Sequence, residues 1–292
     1  MHIIRILLAV GLLLVAQGGL TEPPLTVVVC VKGLEPESPL EEAVLAHLSI
    51  KGSEKEKKLN EDRILGLYEI APQEILSTLE ALGYYHAVVI PELRKTPSGY
   101  LALYTVKIGR PTLIRATRIV LTGEGKDNRC LKDLIRNAPF KPRCQLNHKD
   151  YENFKQDLLN KTLQLGYLDA RYLTNEILVD KSSFRADILL TLDTGTRYKF
   201  GKVSFTESPY PDCYLRPLIP FNEGDPYTTE SLLDFQRDLS DTDWFKKVRI
   251  DPVITEVSDH TAPFVLTGQV RPTLILRALQ LTAILNGGNQ DH

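Results

Sequence analysis

Between Asn147 and Gly166, apolar residues including Tyr151, Phe154, Leu158, Thr162 and Leu165 recur at three-and-four spacing, which stacks them on one face of a helix. Asn147 stands where a side-chain cap is expected, and Gly166 where a helix closes in the left-handed region. The period then shortens to two. Tyr167 to Val179 reads as a strand, DKSSF as a turn, and Arg185 to Leu192 as an alternating closing strand. Upstream, Arg118 to Leu121 predicts a short strand and TGEGKD a turn. Leu131 to Arg136 predicts a short helix, stopped by the prolines of APFKPRCQLN. The order is strand, helix, helix, strand, strand.

This order recurs. ILSTLEALGYYHAVV, LLNKTLQLGYLDARY and, more weakly, FQRDLSDTDWFKKVR align on Gly83, Gly166 and Asp243. LYTVKIGRPTLIRATRIVL and LLTLDTGTRYKFGKVSF align on Gly109 and Gly195. The expected units are 23–109, 110–196 and 197–272. In the third, Lys202 to Phe205 is the opening strand, Cys213 to Ile219 a short helix, and Thr228 or Thr229 a cap. Phe245 to Ile254 and Pro263 to Val270 form its hairpin. The first unit carries an insertion, GSEKEKKLNEDR, whose nearly cancelling charges read as a solvated loop. The fold class expected is α+β: three tandem βααββ units, each with two helices on one face of a three-stranded mixed sheet. Such a unit leaves one sheet face and a strand edge open, and an open edge must be protected or used for pairing.

The chain ends add a compartment. Arg5 precedes an unbroken apolar run from Ile6 to Ala16. About eleven helical residues reach roughly 16 Å, half of a ~30 Å hydrocarbon core, which is the length of a signal-peptide core. Residues 1–20 are therefore expected to be an export signal cleaved near Gly18. The aliphatic run within Thr273 to His292 is compatible with an amphipathic helix or a strand. Across 292 residues, 35 Lys+Arg against 37 Asp+Glu give a net charge of −2, which offers no broad footprint for nucleic acid. One Met, one Trp and 8% aromatic residues do not furnish the aromatic girdles of a transmembrane barrel.

Candidate chemistry is sparse. No CxxC or HExxH pattern exists, so no metal or cofactor is expected. No pair of carboxylates among Asp169, Asp187, Asp193, Glu223 and Asp225 is fixed at a working distance, and the chain is not expected to be an enzyme. Cys130 and Cys144 could form a disulfide in an exported protein or remain two free thiols. Cys30 falls in a run reading as a buried strand. Tyr84, Tyr85, Tyr167 and Tyr198 are read as core anchors, and His148 as a solvated residue after the cap.

With LEALGYYHA in the first unit, LNHKDYENFKQDLLNKTLQLGYLDARY in the second, and TGTRYKFGKVSF leading into PFNEGDPYTTESLLDFQRDLSDTDWFKKVRIDP, the repeat resembles the POTRA domain. Three in tandem behind a signal resemble the periplasmic arm of the TamA family. BamA and two-partner secretion transporters also carry POTRA units, usually five and two. The resemblance implies a TamB-like periplasmic partner and a role in assembling outer-membrane proteins or autotransporters as unfolded clients. It also implies a C-terminal outer-membrane barrel, for which Thr273 to His292 is too short. A frameshifted or truncated gene and a free-standing periplasmic POTRA chaperone or scaffold are the two explanations. POTRA domains leave the second strand of each unit as the free edge. Carried over, this places partner binding on His86, Val88 and Ile90 in the first unit, on Tyr172, Thr174 and Ile177 in the second, and on Val248 and Ile250 in the third.

Overall fold

Each repeat supplies one three-stranded sheet, with the last strand in the middle. The computed structural model describes residues 25–56, 59–206, 210–242, 244–252 and 260–270; the expected export signal and the segment Thr273 to His292 lie outside them. The first repeat contains β1 (Thr26–Lys32), α1 (Pro39–His47), α2 (Ser49–Ser53), α3 (Glu61–Ala81), β2 (Val88–Thr96) and β3 (Gly99–Lys107). The second contains β4 (Leu113–Thr122), α4 (Arg129–Arg136), α5 (His148–Gln164), β5 (Arg171–Asp180) and β6 (Arg185–Asp193). The third contains β7 (Lys199–Thr206), α6 (Asp212–Leu215), α7 (Thr229–Asp241), β8 (Phe245–Pro252) and β9 (Thr261–Val270). The spatial orders β1-β3-β2, β4-β6-β5 and β7-β9-β8 are identical. The opening strand pairs parallel to the central one, as a helical crossover requires, and the second strand pairs antiparallel through a hairpin. This is the α+β class expected from the sequence, with helices and a three-stranded mixed sheet in each repeat.

The alternation decides which sheet face is covered. In β6, Ala186, Ile188, Leu190 and Leu192 are buried and their neighbours are half-buried on the other face. They share a core with Leu131 of α4, the loop residues Phe140 and Leu146, and Tyr151, Phe154 and Leu158 of α5. Phe140 meets Phe154 edge-on at 5.0 Å between ring centroids. In the third repeat Phe200, Leu215, Phe221, Phe235 and Leu239 form the corresponding core.

The first repeat solves a local conflict. Pro72 lies inside α3 and has no N–H to give the Tyr68 carbonyl one turn earlier. The fully buried Tyr104 hydroxyl donates to that carbonyl at 3.5 Å. Burial pushes the Tyr104 phenol well above the usual tyrosine range, so it remains a donor. Tyr104→Phe should therefore destabilise the chain by about 1 kcal/mol in urea unfolding. Adding Pro72→Ala, whose new N–H can serve Tyr68, should recover most of the loss; independent, additive effects would contradict the assignment.

The described residues fall into two compact units. Those up to Leu79 together with Ala87–Ile108 form one, and Glu80–His86 with the chain from Gly109 onward forms the other. Within this second unit a glycine joint occurs twice. At Gly166 (φ 95°), the Tyr198 N–H donates to the Gly166 carbonyl at 2.8 Å, and Arg197 Nε donates to the Leu165 carbonyl at 2.8 Å. At Gly83 (φ 89°), the Thr112 N–H donates to the Gly83 carbonyl at 2.8 Å, and Gln145 Nε2 donates to the Leu82 carbonyl at 2.7 Å. A Cβ would stand 2.3 Å from the Tyr227 carbonyl oxygen at Gly166 and 2.5 Å from the Leu146 carbonyl oxygen at Gly83. Only glycine meets both the dihedral and the approach.

Several local expectations change. The strands β4 and β7 begin earlier than the apolar runs, because loop backbone pairs with their leading ends. The charged insertion after α2 is partly structural: Glu54 caps a strand amide and Glu56 pairs with Arg63. The tyrosines of the GYYH and GYLD segments sit at the glycine joints; Tyr167 is buried there under the Arg197 guanidinium. His148 is half-buried and bonded to Tyr85 rather than solvated. Cys130 and Cys144, for which the sequence leaves a bridge or two free thiols open, are both exposed and unbridged in the structure. Cys130 lies at the start of α4, and the Cys144 carbonyl accepts from the Ile114 N–H of β4.

Candidate strand-docking edges

Every sheet has two lateral edges, and the structure treats them differently. The outer side of each opening strand is engaged from within at one residue. In β1 the Val29 N–H donates to Glu54 Oε1 at 2.8 Å. In β4 the Ile114 N–H donates to the Cys144 carbonyl and the Arg143 N–H to the Ile114 carbonyl, each at 2.8 Å. In β7 the Phe200 N–H donates to the Asp225 carbonyl and the Gly224 N–H to the Phe200 carbonyl, again at 2.8 Å. Self-pairing of this kind interrupts the template that an exposed strand offers to other chains.

The second strand of each sheet occupies the other edge. Among the described residues, no loop or turn backbone bonds to β2 or β5.

β2 and β5 are not equivalent. Pro91 stands in the middle of β2, paired with Tyr104, and supplies no amide. Proline is tolerated on an edge strand with its nitrogen turned to the open side, so the donor row of β2 is broken at its centre. In β5 a bulge lies between Tyr172 and Thr174, after which Thr174–Asp180 pairs continuously with Thr191–Arg185 and contains no proline. The side chains beside these edges are apolar and exposed: Val88 and Ile90 in β2, and Leu173 and Leu178 in β5. The hairpin end of β5 is fixed by Asp180, which accepts from the Ser182 and Ser183 hydroxyls; these bonds draw its carboxyl down to about 2.

Of the residues singled out from the sequence, Val88 and Ile90 lie on β2, Tyr172, Thr174 and Ile177 on β5, and Val248 and Ile250 on β8. Tyr172 and Ile177 pack toward the core, and the Tyr172 hydroxyl donates to the Lys155 carbonyl at 2.7 Å. They contribute backbone to the edge. His86 falls outside β2; its Nε2 lies 2.7 Å from the Lys181 carbonyl and its ring 4.5 Å from that of Phe184. The role of Glu54 was hidden in the sequence because it caps a strand 25 residues away.

Other chemistry is thin. Among the described residues no three His, Cys, Asp or Glu side chains gather as metal ligands. No helix of the described residues is long and apolar enough to cross a membrane.

Comparison with known proteins follows the same division. Residues 28–108 match the family described as POTRA domain, TamA domain 1, and residues 198–267 match the POTRA family described as surface antigen variable number repeat. The chain is similar in structure to POTRA3–5 of BamA from Haemophilus influenzae, with 19% identity and a TM-score of 0.44 over 84% of this chain and 96% of that one. It is also similar to POTRA1–3 of the periplasmic domain of Omp85 from Anabaena, with 14% identity and a TM-score of 0.32 over 87% and 97%. CdiB from Escherichia coli matches with 14% identity and a TM-score of 0.32 over 73% of this chain and 36% of that one. The chain therefore carries two POTRA domains, residues 28–108 and 198–267, and the sheet that lies between them in sequence has the same strand order.

Proposed function

We propose that this chain is the periplasmic, TamA-like arm of an outer-membrane assembly or secretion factor of the Omp85 kind. In this reading the open edges of its second strands receive extended segments of unfolded outer-membrane or autotransporter clients, or of a TamB-like partner. The observation that carries the reading is the asymmetry of the edges. Each opening strand is capped or paired by its own repeat, while β2 and β5 are left open. Main-chain pairing along an edge supplies affinity with little sequence preference, and the flanking apolar side chains favour a strand with apolar residues at every second position. Strands destined for an outer-membrane barrel have that alternation.

A fluorescence-anisotropy titration tests this with two labelled peptides of one composition. One orders its apolar residues with period two, the other with a helical period. The alternating peptide should bind at least about tenfold tighter, a difference of about 1.4 kcal/mol. Equal affinities would contradict strand addition.

A further inference from the structure

Residues Glu80–His86 lead from the last turn of α3 toward β2, yet they pack within the second compact unit. Besides the glycine joint and the contacts of His86 with Lys181 and Phe184, the segment is held by a side-chain pair: Tyr85 Oη lies 2.6 Å from His148 Nε2, with both residues half-buried. His148 is the first residue of α5, directly after the capping Asn147. A positive charge there meets the unsatisfied N–H groups of the helix start and is disfavoured by them.

The surrounding charges divide. Glu80, at the end of α3, and Glu152, one turn along α5, favour a charged imidazole. Burial opposes it and prevails, holding the His148 pKa below the ordinary histidine value. Lys181, from the turn between β5 and β6, lies 5.4 Å over the Tyr85 ring and 3.6 Å from Glu80, so part of the nearby carboxylate charge is already engaged. With a neutral imidazole, the phenol donates to Nε2. Once Nε2 carries a proton it is itself a donor, and the phenol must reverse its hydrogen in a half-buried site.

We infer that the Tyr85–His148 contact is an acid-sensitive clasp, which holds Glu80–His86 on the second unit while His148 is neutral and releases it when His148 is charged. The inference is independent of strand docking. Its sign follows from linkage. A histidine with a depressed pKa in the docked form stabilises docking fully above the pKa of the released form. That contribution falls as pH drops below the released value and levels off once the docked form is protonated too. The next repeat supplies an internal control. At the matching positions around Gly166, Leu168 replaces Tyr85 and Thr229 replaces His148, so no such clasp exists there. The contact it does carry is a different one: His260 Nε2 lies 3.8 Å from an Asp169 carboxylate oxygen.

Nuclear magnetic resonance on the whole chain tests the clasp. His148 is titrated directly, and amide-exchange protection of Thr112 and Tyr198, which donate to the Gly83 and Gly166 carbonyls, is compared at about pH 7.5 and about pH 5 after correction for intrinsic exchange. His148 should titrate below the ordinary histidine value, and Thr112 protection should fall several-fold in acid while that of Tyr198 holds. In His148→Gln the Thr112 protection should not respond to acid. A native His148 titrating at or above the ordinary value would overturn the inference, as would an equal fall in His148→Gln. The titration is read on the unaltered chain, so the test stands whether or not the variant folds.

Discussion

Gly166→Ala should lower the stability of the second compact unit by about 3 kcal/mol, the sum of left-handed strain and a displaced joint hydrogen bond. The strain arises at φ 95°, and the new Cβ would lie 2.3 Å from the Tyr227 carbonyl oxygen. The backbone would have to separate there, taking the Tyr198–Gly166 bond with it. Gly224 is the matched control: its φ is 91°, but a Cβ there meets nothing within 4 Å. Gly224→Ala should cost only the conformational term, about 1 kcal/mol. In thermal unfolding, at about 2–4 °C per kcal/mol for a unit of this size, the midpoints should fall by about 10 °C and about 3 °C respectively. Equal shifts would show that the glycine serves its dihedral alone and that the joint is not close-packed.

The second large effect concerns the docking edge. Successive residues of a strand direct their amides to opposite sides, so Glu176 and Ile177 of β5 cannot both bond to β6. Proline at one of them deletes a ladder bond and should destabilise the chain by about 3 kcal/mol. Proline at the other removes only an outward donor. That variant should fold with an ordinary melting midpoint and lose at least about tenfold in affinity for the alternating peptide, a change of about 1.4 kcal/mol. The natural Pro91 of β2 shows that the fold tolerates such a residue on an edge. A folded proline variant of β5 that keeps its affinity would sink the assignment of this edge.

How much of this was legible in the sequence varies with the range of the forces involved. The helix α5, its cap and its closing glycine are local: Asn147 accepts from the Lys149 N–H at 2.9 Å, and Gly166 has the left-handed φ expected of it. The repeat carried the order of elements and the three-stranded mixed sheet of each unit, whereas the central place of the last strand is set by pairing between distant segments. Pairings between distant residues were not legible. Nothing around Glu54 marks it as the cap of Val29, and charge balance alone made the insertion look like bare solvent-facing loop. His148 looked solvated because its partner, Tyr85, stands 63 residues earlier. Of the edge residues, His86 was placed by continuity with the following strand, but it ends in a joint contact with Lys181 and Phe184.

The central claim is that the open edge of β5 takes up an added strand, and amide exchange along the sheets tests it most directly. With the alternating peptide at saturation, every second amide between Thr174 and Asp180 should gain protection. The amides of Val29 in β1 and Ile114 in β4, already bonded within the chain on the outer side, should not change. Binding that leaves the β5 amides unprotected, or protects the opening strands instead, would contradict the account.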